Sequence, residues 1–196
     1  MASSELRGLS DEELFRESWE GDPSAFDHLV ERYKVKLYNF ICRMVGDPDQ
    51  AEDLLQETFI RIYRKRQEHD RIKKFSTWTY TIAANLARDE LRRRKRWSFV
   101  SFEDSIRQKQ GASFAMARGP QEDLARAEIR RHILVAMESL NAKYRMAFIL
   151  RDIEGLSYEQ IGEVLSIPLG TAKSRVNRAR AEMQKRLRPY LDGTTE

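Results

Sequence analysis

One cysteine in 196 residues excludes an internal disulfide and any cysteine-rich zinc site. Cys42 falls within a helical pattern and reads as a small core residue. The three histidines, His28, His69 and His132, are far apart and form no metal-ligand spacing. No metal and no cofactor is therefore expected. A Gly-rich phosphate loop and a nucleophile motif are also missing, which sets the enzyme classes aside. No apolar run is long enough to span a bilayer. Met1–Leu14 is polar and acidic, unlike a secretory signal. These absences predict a cytoplasmic protein that does not insert into a membrane. Only five prolines and nine glycines argue against an all-β fold.

What the chain has in quantity is charge, at 34% of residues, and the charge is segregated. Residues 1–57 carry 6 basic against 14 acidic groups, and residues 58–97 carry 13 against 4. Residues 98–167 are nearly balanced, and residues 168–196 are basic again, with 7 against 3. Two basic blocks separated by neutral chain predict two contacts with a polyanion. The acidic front repels nucleic acid and is expected to face another partner.

The pattern is helical throughout. Ser10 precedes Asp11-Glu12-Glu13 as an N-cap with acids in the first turn. Gly21-Asp22-Pro23 breaks the chain, and Ser24 is expected to cap the next helix. In that helix Phe26, Leu29, Val30, Tyr33, Leu37, Phe40, Ile41 and Met44 keep helical spacing. A helix from about Asp49 to Arg66 has Leu54, Leu55, Phe59, Ile62 and Tyr63 on its inner face. Asp53, Gln56, Glu57 and Ile60 share a more exposed one. After the polar stretch Gln67–Lys74, Ser76 or Thr77 starts a helix carrying Trp78, Ile82, Leu86 and Leu91. It ends in Arg92-Arg93-Arg94-Lys95-Arg96, which covers every side of a helix and cannot all be buried. With Lys73, Lys74 and Arg88 nearby, this reads as a phosphate-binding surface. Phe75, Trp78 and Tyr80 beside it suit either core packing or base stacking, and Trp78 shares a stripe with Ile82.

Residues 98–122 lack helical period and read as a linker, with Phe99, Phe102, Phe114 and Met116 scattered through it. Leu124, Ile129, Ile133, Leu134 and Met137 then form one helical stripe. Met146, Phe148, Ile149 and Ile153 are buried candidates of the next helix, and Gly155 is placed to end it. Ser157 and Gln160 have capping-box spacing, ahead of an apolar face of Ile161, Val164 and Leu165. Ser166-Ile167-Pro168 stops that helix, and Thr171 is expected to cap another. Its narrow stripe is Ala172, Val176, Ala179 and Met183. Lys173, Ser174, Arg175, Asn177, Arg178 and Arg180 point elsewhere, toward water or an anion. This is the signature of a helix-turn-helix, whose second helix enters the DNA major groove. An ordinary hairpin with a solvated basic face shares the same spacing.

The segments Ala51-Glu52-Asp53-Leu54-Leu55-Gln56-Glu57-Thr58-Phe59 and Phe75-Ser76-Thr77-Trp78-Thr79-Tyr80, the basic run, and Gly155-Leu156-Ser157-Tyr158-Glu159-Gln160 through Arg175 occur in a fixed order. From about Ser10 to Leu191 the chain resembles the extracytoplasmic-function (group IV) sigma factors of the sigma-70 family. These are promoter-recognition subunits of bacterial RNA polymerase. The resemblance implies an all-α fold of two small helical domains joined by an irregular linker. Residues 10–97 would be sigma-2-like, 98–122 the linker, and 123–192 sigma-4-like.

It also implies roles. Asp53, Gln56 and Glu57 would bind core RNA polymerase, whose β and β′ subunits are the expected partners. Lys73, Lys74, Trp78, Asn85 and Arg88, with Arg92, Arg93 and Arg96, would hold the melted −10 element of promoter DNA. Asn85 would lie near the pocket for a flipped base. Lys173, Ser174, Asn177 and Arg178 would meet bases of the −35 duplex, and Thr171, Arg175 and Arg180 its phosphates. Members are usually held by an anti-sigma factor, an expected partner here in a stress or envelope response. The loop Glu68–Lys74 departs from the family's usual aromatic-Arg-Gly character. A stand-alone helix-turn-helix regulator, with residues 1–97 for dimerising or sensing, is the competing expectation.

Overall fold

A computed structural model describes residues 6–100 and 124–191, and every regular element among them is helical. Four helices form the front: α1 Asp11–Glu20, α2 Pro23–Val45, α3 Pro48–Arg64 and α4 Phe75–Val100. A 3-10 segment, Arg66–Arg71, joins α3 to α4. The rear comprises α5 Leu124–Glu138, α6 Ala142–Phe148 with a π turn at Ile149–Ile153, α7 Tyr158–Leu165 and α8 Leu169–Leu191. Residues 98–100 of the expected linker continue α4. The rest of it, with Phe102, Phe114 and Met116, lies outside the described residues, as do Asp123 and Asp192.

Local chemistry sets most boundaries. Ser10 and Glu13 form a reciprocal capping box at the start of α1. Gly21 ends that helix at φ 119°, and Gly46 ends α2 at φ 73°. Asp22, rather than Ser24, caps α2, accepting from the Ser24 N–H with Pro23 at the first helical position. The proline has no N–H to satisfy there, and its fixed φ suits a helix. Asp47 repeats the arrangement ahead of Pro48. The N-terminus of α4 is satisfied from a distance, since the Phe75 N–H donates to Glu12 at 2.8 Å.

The front core gathers Leu14 and Phe15 of α1, Leu29, Leu37, Phe40 and Ile41 of α2, Ile62 of α3 and Phe75 of α4, each at most 1% exposed. Phe15, Tyr33, Phe75 and Trp78 stack around one another at centroid distances of 5.1–6.0 Å. Phe75 and Tyr80 are buried and Trp78 is half-buried, so all three belong to packing rather than to an open stacking platform. Tyr63 leaves the expected inner face of α3: it is 43% exposed, and the Arg66 guanidinium lies 3.8 Å from its ring centroid.

The rear core is Met137, Met146, Ile149, Leu150, Ile161, Val164, Leu165, Ala172, Val176, Ala179 and Met183. Two expected stripes differ. Ile129 and Ile133 of α5 are 51% and 37% exposed, leaving Met137 and a half-buried Leu134 to face inward. Ile153 is 38% exposed, whereas Leu150 is fully buried. The π turn explains the second case. The Glu154 N–H reaches back five residues to the Ile149 carbonyl, which shifts the helical phase so that Ile153 turns outward. Gly155 then reverses the chain at φ 74°, as its position foretold.

The two halves share one contiguous set of buried residues. The seam lies between α4 and α7. Gln160 Nε2 donates to Thr77 Oγ1 at 3.2 Å, and the Tyr80 hydroxyl donates to the Glu154 carboxylate. Arg43 of α2 stands 3.8 Å from the same carboxylate.

Candidate polymerase and nucleic-acid interfaces

Asp53 and Gln56 are exposed on α3, one turn apart, with Glu57 half-buried beside them. Thr58 anchors the opposite side by donating to the Leu54 carbonyl at 2.7 Å. Glu57 is engaged by Arg61 at 2.7 Å, across one helical turn. Ile60, 44% exposed, adds an apolar neighbour. The face offers hydrogen-bond acceptors and negative charge around an apolar spot, which suits a protein surface and repels phosphate.

On α4 the basic run divides by function. Arg94 is structural: it donates to the Val45 carbonyl at 2.9 Å, to Asp47 at 3.1 Å and to Glu90 at 2.8 Å. Arg93 pairs with Glu90 at 2.7 Å and with Gln50 at 3.2 Å. Burial works against the charged form of Glu90, yet hydrogen bonds from Arg93 and Arg94 hold its carboxyl below the ordinary value. Arg92 makes only a 3.6 Å contact with Asp89, both side chains being 68% exposed. Arg96, Lys73 and Lys74 are exposed. Asn85 is exposed and accepts from Arg88 at 3.2 Å. Burial first, and then the neighbouring charges of Arg92 and Arg175, push the Arg88 guanidinium down from its usual value. The free cations of α4 therefore lie on the side away from Glu90.

The second basic surface rests on the turn between α7 and α8. Ser157 and Gln160 cap α7 reciprocally, as the sequence predicts. The turn pivots on Ser166, a non-glycine residue at φ 53°. The Ile167 N–H donates to the Gly162 carbonyl at 2.9 Å, which locks the crossing. Helix α8 begins at Leu169, so Thr171 is an internal first-turn residue rather than the cap, and its N–H donates to the Pro168 carbonyl. The stripe of Ala172, Val176, Ala179 and Met183 is buried, as expected, and turns the opposite face outward.

Lys173, Ser174, Asn177 and Arg178 are exposed there, with Arg175 half-buried. The Ser174 hydroxyl is engaged with the Thr171 carbonyl at 3.0 Å. Two residues of α6 and its π turn escaped the sequence reading. Tyr144 accepts from Arg178 at 3.1 Å, and Asp152 holds Arg180 in a bidentate pair. Neither carries a periodic signal, because each acts across about thirty residues of chain. The structure thus presents Lys173, Asn177 and Arg178 outward and ties Arg180 to the scaffold. Among the described residues there is no acidic or histidine cluster able to hold a metal ion, and no helix long and apolar enough to cross a membrane.

Two family profiles match this chain: Sigma-70 region 2 over residues 29–97 and Sigma-70, region 4 over residues 130–183. The first contains α3 and α4, and the second contains the helix-turn-helix. The chain is 38% identical over 173 residues to the ECF RNA polymerase sigma factor SigW of Bacillus subtilis, covering 86% of this chain and 91% of the relative. It is 36% identical over 184 residues to the RNA polymerase sigma-H factor of Pseudomonas aeruginosa, covering 92% and 95%. A solved structure of the sigma factor RpoE in complex with the anti-sigma factor NepR from Bartonella quintana superposes with a TM-score of 0.68. It shares 28% identity and covers 83% of this chain and 96% of that one. With both regions of the family matched in order and relatives of this identity over most of its length, the chain belongs to the extracytoplasmic-function RNA polymerase sigma factors of the sigma-70 family.

Proposed function

We propose that this chain directs core RNA polymerase to its promoters through three surfaces, and that it performs no chemistry of its own. The observation carrying this reading is the separation of charge by element: carboxylates and an amide on exposed α3, cations on α4 and on α8. Asp53, Gln56 and Glu57 dock on core polymerase, through its β or β′ subunit. Asn85, Arg88, Arg92 and Arg96, with Lys73 and Lys74 before the helix, hold the melted −10 strand. Asn85 offers one donor and one acceptor to a base edge. A flipped base read in a small pocket also stabilises the open strand. Trp78 contributes by bracing α4 against Phe15 at 5.4 Å. Lys173, Asn177 and Arg178 read the −35 duplex, and Thr171 and Arg175 lie toward its backbone.

Residues 10–97 and 123–192 act as the two reading units, with 98–122 between them. Either grip alone is weak and salt-sensitive, because phosphate contacts release counterions. Mounting both on one polymerase raises the effective concentration of the second once the first is engaged. The protein works in the cytoplasm, and an anti-sigma factor controls it. That control is supported by the RpoE–NepR complex, in which a sigma factor of similar fold is bound by such a partner. A stand-alone regulator is disfavoured, since a sensing domain has no use for both an acidic docking face and a basic helix.

The test is run-off transcription with purified core polymerase on a pool of promoter fragments from the source genome. Discrete transcripts should appear only with the chain, and should vanish when Asp53→Ala and Gln56→Ala are combined. Tight sequence-specific binding to duplex DNA without core, and no stimulated transcription, would overturn the reading.

A further inference from the structure

Tyr144 and Arg178 meet across 34 residues of chain, beside the second basic surface. Both rise from helices that share the rear core. Tyr144 lies in the first turn of α6, where its N–H donates to the Asn141 carbonyl at 2.8 Å and Asn141 caps the helix. Its ring is half-buried and packs against the core. Arg178 stands on α8 between Val176 and Ala179, both fully buried. A phenol turns about only two side-chain torsions. Its hydroxyl is therefore a fixed post beside the long, exposed side chain of Arg178.

The chemistry of the contact leaves one edge of the guanidinium for another partner. Arg178 donates from Nη1 to the Tyr144 hydroxyl oxygen at 3.1 Å. A guanidinium carries five N–H donors in one rigid plane. Its Nε–Nη2 edge remains as a bidentate fork, and the base edge that matches such a fork is the O6 and N7 pair of guanine. The bond acts on both partners. It holds the Tyr144 phenol below its ordinary value, helped by the charge of Lys143, whose Nζ lies 4.8 Å from the ring centroid. It raises the Arg178 guanidinium in turn. Lys173 instead rests over the Tyr158 ring at 5.9 Å, a contact with no fixed direction. A side chain already held in place loses less freedom when it binds.

We propose that Tyr144 is a positioning residue for −35 recognition: it holds Arg178 by Nη1 and so presents the Nε–Nη2 edge to a guanine of the duplex. The proposal rests on the assignment of α8 to the −35 element. Arg178 then supplies base preference as well as charge, and that preference depends on a residue of α6, outside the helix-turn-helix.

The test uses holoenzyme assembled from core polymerase and the full chain, with Tyr144→Phe, Arg178→Ala and the double variant. Anisotropy reads affinity for a promoter fragment recovered from the run-off selection, and for fragments carrying every base pair at each −35 position in turn. The wild type should prefer guanine at one position, and Arg178→Ala should lose that preference. Tyr144→Phe keeps the ring and loses the hydroxyl. It should bind the promoter about threefold to tenfold more weakly, because a freed side chain must be ordered on binding. It should lose most of the preference at that same position alone. Added to Arg178→Ala, it should change nothing further. Its salt dependence should match the wild type, since no phosphate contact is removed. A merely structural hydroxyl would weaken binding in both backgrounds and to every sequence alike. That result, a Tyr144→Phe holoenzyme that reads as the wild type does, or an Arg178→Ala one that keeps the preference, would overturn the proposal. Should Tyr144→Phe fail to fold by circular dichroism, an NMR titration of carbon-labelled tyrosines decides. One phenol should titrate higher in Arg178→Ala than in the wild type, and identical titrations would remove the contact. If instead the wild-type holoenzyme shows no sequence-specific promoter binding, the functional reading falls on its own evidence.

Discussion

Residues that look alike in the sequence separate once their partners are known. Arg92 and Arg94 sit two apart in one basic run, yet Arg94 bonds the end of α2, the cap of α3 and the buried Glu90. Arg94→Ala should destabilise the protein by about 1–3 kcal/mol, because a buried acceptor loses a charged donor. Arg92→Ala should stay within about 0.5 kcal/mol of wild type in urea melts and should weaken −10 binding instead. Equal destabilisation of the two variants would remove this division. The caps were readable in advance where the bond is local. Ser10 with Glu13 and Ser157 with Gln160 are written three residues apart. Replacing Ser157 with Ala should cost about 1 kcal/mol, measured as a lowered urea midpoint. The pairs Tyr80–Glu154 and Arg180–Asp152 span 74 and 28 residues, and nothing in local spacing announces them.

At the scale of elements, periodicity found the helices and missed their phase where packing altered it. The stripes of α2, α7 and α8 follow an undisturbed helical period and are buried as read, apart from the half-buried Phe26 and Val30 in the first turns of α2. Ile153 failed because one π turn displaces everything after it, and no residue spacing announces that turn. The turn between α7 and α8 has its own constraint at Gly162. A β-carbon there would meet the Ile167 carbonyl oxygen at 3.0 Å, and Ile167 is already pinned by its N–H bond to Gly162. Alanine would gain about 1 kcal/mol of helix propensity. Overpacking against a fixed backbone atom costs about 1–3 kcal/mol. Gly162→Ala should therefore be net destabilising and should weaken −35 duplex binding, read by thermal melts and by anisotropy on promoter DNA. A neutral or stabilised variant would show that the crossing can widen.

For the whole molecule, the contact of Glu154 with Tyr80 and Arg43, which closes the seam between the two halves, carries a pH dependence with a definite sign. Burial outweighs the Tyr80 hydrogen bond and the charges of Arg43 and Lys36, so the Glu154 carboxyl lies above its ordinary value when closed. A carboxyl raised on closure binds a proton more readily in the closed form. Closure is then favoured below the ordinary carboxylate value and weakens as pH rises through the raised one. The radius of gyration should fall as mildly acidic buffer replaces neutral buffer, and Glu154→Gln should abolish that response. A wild-type radius independent of pH would remove Glu154 from the equilibrium.

Chain order adds a consequence in time. Helices α1 to α4 are complete at Val100, whereas the residue that closes them, Glu154, is synthesised later. At about 5–20 residues per second, the interval lasts on the order of several seconds. During that interval Thr77 and Tyr80 lack their partners Gln160 and Glu154 from the second half. The seam between the halves can form only once the second half has left the ribosome.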